Sequence, residues 1–219
     1  MRILLIAVAA LAVLLLAGGV SAAAGSSDVG VFQYVVDPDP RECPSPRCGG
    51  YWASLANHSR TTCHDGVLRR RCYVAIAVDT RGRELETGLP AGAIVRADLE
   101  SQEFGPFGDL GVLVAADIRA PAGREPTGPY FRVKDLGIRC VRAPCFSLRA
   151  ARLNTTFRVT LSGLDLLPAR LSERDQDRAE AALEASSGLF ASGRIVRTAD
   201  GGRTLRASRV YLRAATPRG

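Results

Sequence analysis

The chain is 219 residues long, with a formal net charge of +7 at pH 7 and 47% hydrophobic residues, enough for one or two domains. Beyond residues 3–17 it has no apolar run long enough to span a membrane, which takes roughly 20 residues. Lys134 is the only lysine, and Asn57 and Asn154 are the only asparagines; this is the pattern expected of a GC-rich, bacterial genome, so the arginine content and net charge permit an anionic partner without specifying one.

Met1-Arg2 is a minimal positive segment, residues 3–17 are unbroken apolar sequence, and Gly18-Gly19 ends them. Val20/Ala22 and Ala22/Ala24 both put small side chains at the −3 and −1 positions of a signal-peptidase site. Residues 1–24 are predicted to be a cleaved signal peptide, and the mature protein to be secreted or periplasmic, with no membrane span left.

The remainder reads as an internal repeat. Cys43-Pro-Ser-Pro-Arg-Cys48 and Cys140-Val-Arg-Ala-Pro-Cys145 share one spacing, Tyr34/Val36 match Phe131/Val133, and Ala53/Asn57 match Ala150/Asn154 in the same register. Asn tolerates left-handed backbone, so both asparagines are expected to be turn residues closing a strand. Gly92-Ala-Ile-Val-Arg96 further matches Gly193-Arg-Ile-Val-Arg197. Residues 25–121 are predicted to be a first β repeat with two disulfides, and 122–219 a second with one disulfide and a helix, joined by the proline-rich stretch 121–129.

In the second repeat strands are expected at 130–134, 146–153, 157–164, 193–198 and 205–212, from period-two alternation and a Gly201-Gly202 hairpin turn. Ser172 as N-cap, Asp175 three residues on and Gly188 as C-cap predict a helix over 172–187 that the first repeat lacks. The order β-β-β-α-β-β gives the fold expectation: mainly β with one helix, as two tandem, small, five-stranded OB-like barrels.

The duplication narrows the cysteine pairing. Cys140 and Cys145 are alone in the second repeat and pair most simply with each other, Cys43–Cys48 follows by equivalence, and Cys63–Cys72 remains to cross-link a hairpin turning at Asp65-Gly66. A metal site from Cys43, Cys48, Cys63 and Cys72 is the competing reading, but the spacings suit zinc poorly and the second repeat lacks half of it. Cys48-Gly-Gly-Tyr-Trp-Ala53, Cys72-Tyr-Val-Ala75, Tyr130-Phe-Arg-Val-Lys-Asp135, Gly137-Ile-Arg-Cys140 and Ala143-Pro-Cys145 together resemble a family of exported bacterial proteins carrying a Cys-rich domain of unknown function. That resemblance implies export and a disulfide-linked β fold, and brings no activity, cofactor or catalytic residue.

Chemistry-bearing motifs are sparse. His58 and His64 fall in loops, no nucleophile elbow accompanies them, and Glu84/Glu86 and Asp98/Glu100 read as solvated strand charges. Asn57-His-Ser59 and Asn154-Thr-Thr156 match glycosylation acceptors, but the turn reading already explains both asparagines. The candidate binding residues are Tyr51 and Trp52, as a stacking platform, and Arg47 and Arg142, presented by the two Cys-bounded loops. The expectation is a non-enzymatic binding or structural protein without cofactor or metal. Its partner would be an anionic envelope polymer or another exported protein, not intracellular nucleic acid. The alternatives are a protease inhibitor presenting Arg47 or Arg142, and a secreted hydrolase.

Overall fold

The computed structural model describes Gly30 and residues 32–213; the expected signal at 1–24 lies outside the described residues. The first half begins with β1 (Phe32–Pro38), which buries Tyr34 and Val36 on one face. A loop carrying the Cys43–Cys48 disulfide leads to β2 (Tyr51–Leu55). Next, β3 (Thr61–Thr62) and β4 (Leu68–Arg69) form a small hairpin, turned at Asp65-Gly66 and closed by Cys63–Cys72. Then come β5 (Cys72–Val74), β6 (Ile76–Asp79), β7 (Ala93–Glu103) and β8 (Asp109–Gly123). The second half contains β9 (Tyr130–Asp135), β10 (Leu148–Arg152), β11 (Arg158–Leu161), β12 (Gly163–Asp165), α1 (Glu173–Glu184), β13 (Leu189–Arg197) and β14 (Arg203–Arg213). The third disulfide, Cys140–Cys145, bridges the loop between β9 and β10, and no cysteine among the described residues is free.

The protein is mainly β, with one α-helix among the described residues, but it is not two closed five-stranded barrels. Twelve strands share one large open sheet in the order β11-β10-β9-β13-β14-β8-β7-β1-β2-β5, with β6 on β8 and β12 on β14 off this path. The reason lies in two long strands. β6 covers β8 only over residues 112–115, and β12 covers β14 only over 204–206. Each long strand is left with exposed ladder groups beyond that point, and an unpaired edge seeks a partner. The two edges meet as an antiparallel ladder, 119–123 on 209–213. Pro121, expected in the connection, lies inside this ladder; it is tolerated because β7 has already left the other side of β8 at Arg119.

The strand order is palindromic about the β8–β14 seam, and both halves contain one parallel pair, β6 with β8 and β12 with β14. Both also carry a bulge at the same point, Arg96/Ala97 in β7 and Ser192/Gly193 in β13. These pairings correct one sequence match. Val95 lies opposite Tyr34, and Ala191 opposite Phe131, so Ile94 corresponds to Phe190 and Ala97 to Gly193. The shared Gly-x-Ile-Val-Arg string is out of structural register. Gly193 is the bulge residue, where a Cβ would sit 2.2 Å from the Arg206 carbonyl oxygen.

The helix is where the sequence places it, with a different end. Ser172 accepts the Asp175 amide at 3.2 Å and donates to its carboxylate at 2.9 Å, a reciprocal cap. The helix stops at Glu184 with Ala185 as C-cap, burying Ala179. Gly188 is therefore not the cap. Its φ of +72° and its approach to the Val133 carbonyl, 2.6 Å from a would-be Cβ, serve the passage of the chain onto β9.

Each half has its own core: Tyr34, Val36, Val95 and Leu113 in the first, and Phe131, Val133, Leu189 and Leu205 in the second. A third cluster, with Ile94, Leu153, Phe190 and Tyr211, packs between them. At this seam Asn57 and Asn154 have φ of +66° and +55°, as turn residues should, and they also reach across it. Asn57 donates to the carbonyls of Tyr130 (2.9 Å) and Leu153 (3.1 Å) and accepts the Tyr130 amide (2.8 Å). Asn154 donates to the equivalent carbonyls of Gln33 (2.7 Å) and Ala56 (3.0 Å) and accepts the Gln33 amide (2.9 Å). Each asparagine thus clamps the other half's backbone.

Candidate functional site

Both Cys-bounded loops are exposed. Arg47 stacks over the Phe107 ring at 5.4 Å, while Arg142 stands beside Val141, which is fully exposed. The loops follow β1 and β9, which run in opposite senses, five antiparallel pairings apart. Tyr51 packs on the first core and its hydroxyl accepts the Leu89 amide at 3.2 Å. Trp52 meets Tyr73 edge-on at 5.5 Å and donates through its indole N–H to Asp39 at 3.1 Å. The guanidinium groups of Arg41 and Arg71 lie over the Trp52 ring at 5.1 and 5.0 Å. Asp39 is buried and holds Arg41 through two bonds of 3.0 Å; these bonds keep its carboxyl below the usual carboxylate range. The Trp52 platform is thus already filled by the protein's own arginines.

The equivalent face of the second half has opposite chemistry. In the first half one cross-strand row runs Asp37, Trp52, Tyr73; in the second the matching row is Lys134, Arg149, Thr160. The next row of the second half is Arg132, Ala151, Arg158. Successive strand residues alternate faces, so burial of Phe131, Val133, Leu148 and Ala150 turns these four cations to one outer surface. Lys134 and Arg149 are direct cross-strand neighbours of like charge, an arrangement that destabilises a sheet.

Elsewhere several arginines are paired locally, as in Arg69–Asp65 (2.7 Å), Arg83–Asp79 (2.6 Å) and Arg139–Asp135 (3.0 Å). Among the described residues, Arg132, Lys134, Arg149 and Arg158 form no ion pair. They line three adjoining hollows of about 420, 310 and 450 Å³, to which Arg152 and Arg203 add two more cations and no carboxylate contributes. In the wall of the hollow of about 420 Å³, Phe190 carries the buried guanidinium of Arg119 at 4.0 Å. Burial pushes that guanidinium below its ordinary pKa; Asp117, 2.8 Å away, opposes the shift, and the charges of Arg213 and Arg132 add to it.

This arrangement can hold an anion. Of the two histidines, His64 has its Nδ1 atom buried beside Gly111 with no hydrogen-bond partner among the described residues, and the His58 Nε2 atom lies 2.9 Å from the Asn154 carbonyl oxygen. Sequence reasoning missed the cationic face. The signal was present in Tyr130-Phe-Arg-Val-Lys-Asp135, which alternates apolar and basic residues, but discounting arginine as codon bias hid it.

Residues 32–217 match the model of a family described as a domain of unknown function (DUF6748), so the chain belongs to that family. No curated protein and no solved structure matches it.

Proposed function

We propose that this member of the DUF6748 family is an exported, non-enzymatic binding protein that captures an anionic polymer on the outer sheet face of its second half. The observation that carries this reading is the quartet of Arg132, Lys134, Arg149 and Arg158, which form no ion pair among the described residues and are held on one face although Lys134 and Arg149 repel. Export rests on residues 1–24 and is compatible with three disulfides. Among the described residues no helix is long and apolar enough to cross a membrane.

The two halves are best read as a duplicated unit whose equivalent faces have diverged, one filled by aromatic–arginine stacking and the other left cationic. An envelope polymer bearing regularly spaced anions suits the second face, because many weak contacts add along a flexible chain. The opposite senses of β1 and β9 make the Cys loops a poor paired anchor for one surface. A second reading, a protease inhibitor, keeps one observation in its favour, the exposed Arg142 in its disulfide-closed loop.

The test is retention of the mature chain on a phosphate-rich polyanion, comparing Arg149→Glu with Arg81→Glu, an equal charge change on an exposed turn of the first half. Arg149→Glu should elute at clearly lower salt than Arg81→Glu. Equal elution of the two variants would sink the proposal.

A further inference from the structure

The cleft between the two halves offers a more specific site than the open face. It has a volume of about 420 Å³ and is walled by Phe32 and Gln33 from the first half and by Arg132, Arg152, Thr156 and Arg158 from the second. Arg132 and Arg158 also belong to the sheet face, so the two surfaces are continuous. We propose that this cleft is a subsite for a tetrahedral oxyanion, the phosphate or sulfate group of the polymer captured by that face. The inference rests on the reading of the sheet face, but is tested apart from it.

Three features carry it. First, the Nε atom of Arg152 is buried and has no hydrogen-bond partner among the described residues. A charged donor shut away from water without an acceptor is a large penalty, and a bound anion removes it. Second, the wall is braced by its own hydrogen bonds. The Arg152 carbonyl accepts the Thr155 hydroxyl at 3.1 Å, and Arg158 Nη1 donates to the carbonyls of Thr155 (2.6 Å) and Phe157 (2.8 Å). Asn154, within the same turn, is bonded to the first half, so docking of the halves forms the cleft. Third, three arginines, each bearing a guanidinium fork, line the cleft with no carboxylate among the lining residues. A carboxylate has two oxygens in one plane and satisfies one such fork; a phosphate or sulfate ester spreads three or more oxygens and can meet several. Phe32, 46% exposed at the cleft, gives an apolar wall for the uncharged carrier of that group.

The experiment uses the mature chain labelled with ¹⁵N, following the arginine Nε–Hε resonances. The Arg152 signal is assigned by its disappearance in Arg152→Lys. Inorganic phosphate and, separately, inorganic sulfate are added at constant ionic strength held with chloride. A saturable shift of the Arg152 signal is expected with at least one of them. Arg152→Gln should weaken that binding about tenfold, read from the Thr156 amide, the equivalent of one lost charge-assisted hydrogen bond. A phosphate-bearing polymer and a sulfated polysaccharide then identify the source of the group, according to which one competes. A shift that never saturates, or that chloride alone reproduces, overturns the subsite. Arg149→Glu separates the two proposals: it should weaken polymer retention relative to Arg81→Glu and leave the inorganic-anion response of Arg152 intact. If Arg149→Glu elutes with Arg81→Glu while Arg152 still saturates, the sheet-face reading fails and the cleft stands.

Discussion

Replacing Asn57 by Ala tests the seam between the halves. Three bonds are lost, but not equally. The Tyr130 carbonyl keeps the Leu153 amide at 3.0 Å, whereas the Tyr130 amide and the Leu153 carbonyl lose the Asn57 partner they have across the seam. Two orphaned backbone groups at about 1 kcal/mol each and a weakened third at about 0.5 kcal/mol amount to roughly 2.5 kcal/mol. Alanine must also hold the φ of +66° that Asn tolerates, adding about 1 kcal/mol. Asn57→Ala should therefore destabilise by roughly 3.5 kcal/mol, about 10 °C in Tm for a fold of this size. Asn57→Gly removes the backbone strain but not the lost bonds, and should recover about 1 kcal/mol. Asn154→Ala should behave alike, since its three bonds are equivalent. Because both residues hold one seam, the double variant should lose less than the sum of the singles. Urea unfolding followed by circular dichroism measures each value. Either alanine variant lying within about 1 kcal/mol of the parent, or glycine proving no better than alanine, would refute the clamp.

Gly193→Ala would press a Cβ to 2.2 Å from the Arg206 carbonyl oxygen, while Gly201→Ala, at φ +80° with nothing within 4 Å, meets only backbone strain. Thermal unfolding should show a loss of about 2–3 kcal/mol for the first and about 1 kcal/mol for the second; equal losses would contradict the bulge packing. The carboxyls of Asp65 and Asp79 are held at about 2, the first mainly by the Arg69 side chain and the second by the Arg83 backbone amide. Depressed carboxylates stabilise the fold above their unfolded pKa, and that contribution fades as the pH falls from near 4 towards 2. Burial pushes the Tyr34 hydroxyl up to about 12, so its contribution is complete below its unfolded pKa near 10 and disappears as the pH rises through 12. Urea midpoints across both windows should fall at each end, and a flat profile would count against these assignments.

The sequence by itself determined the local features. Ser172 and Asp175 mark the helix start because a cap is a short-range bond. The cysteine spacing and the matched positions of the two halves leave the three short disulfides as the simplest pairing. Alternation in Phe32–Pro38 and Tyr130–Asp135 marks strands because period two is a property of the backbone. What the tertiary structure decided were the long-range matters. Which edge β8 and β14 use depends on where β6 and β12 stop covering them, and no local pattern encodes that. Gly188 has the look of a helix cap in the sequence, but in the fold it makes room for β9. The two asparagines are legible as turns from their residue type, whereas their partners are amides and carbonyls, which every residue carries and which therefore leave no mark in the sequence. The cationic face is legible only in part: Arg132 and Lys134 alternate with apolar residues in one strand, but Lys134, Arg149 and Arg158 lie on three successive strands, and the register of β9, β10 and β11 makes them neighbours without a counter-charge.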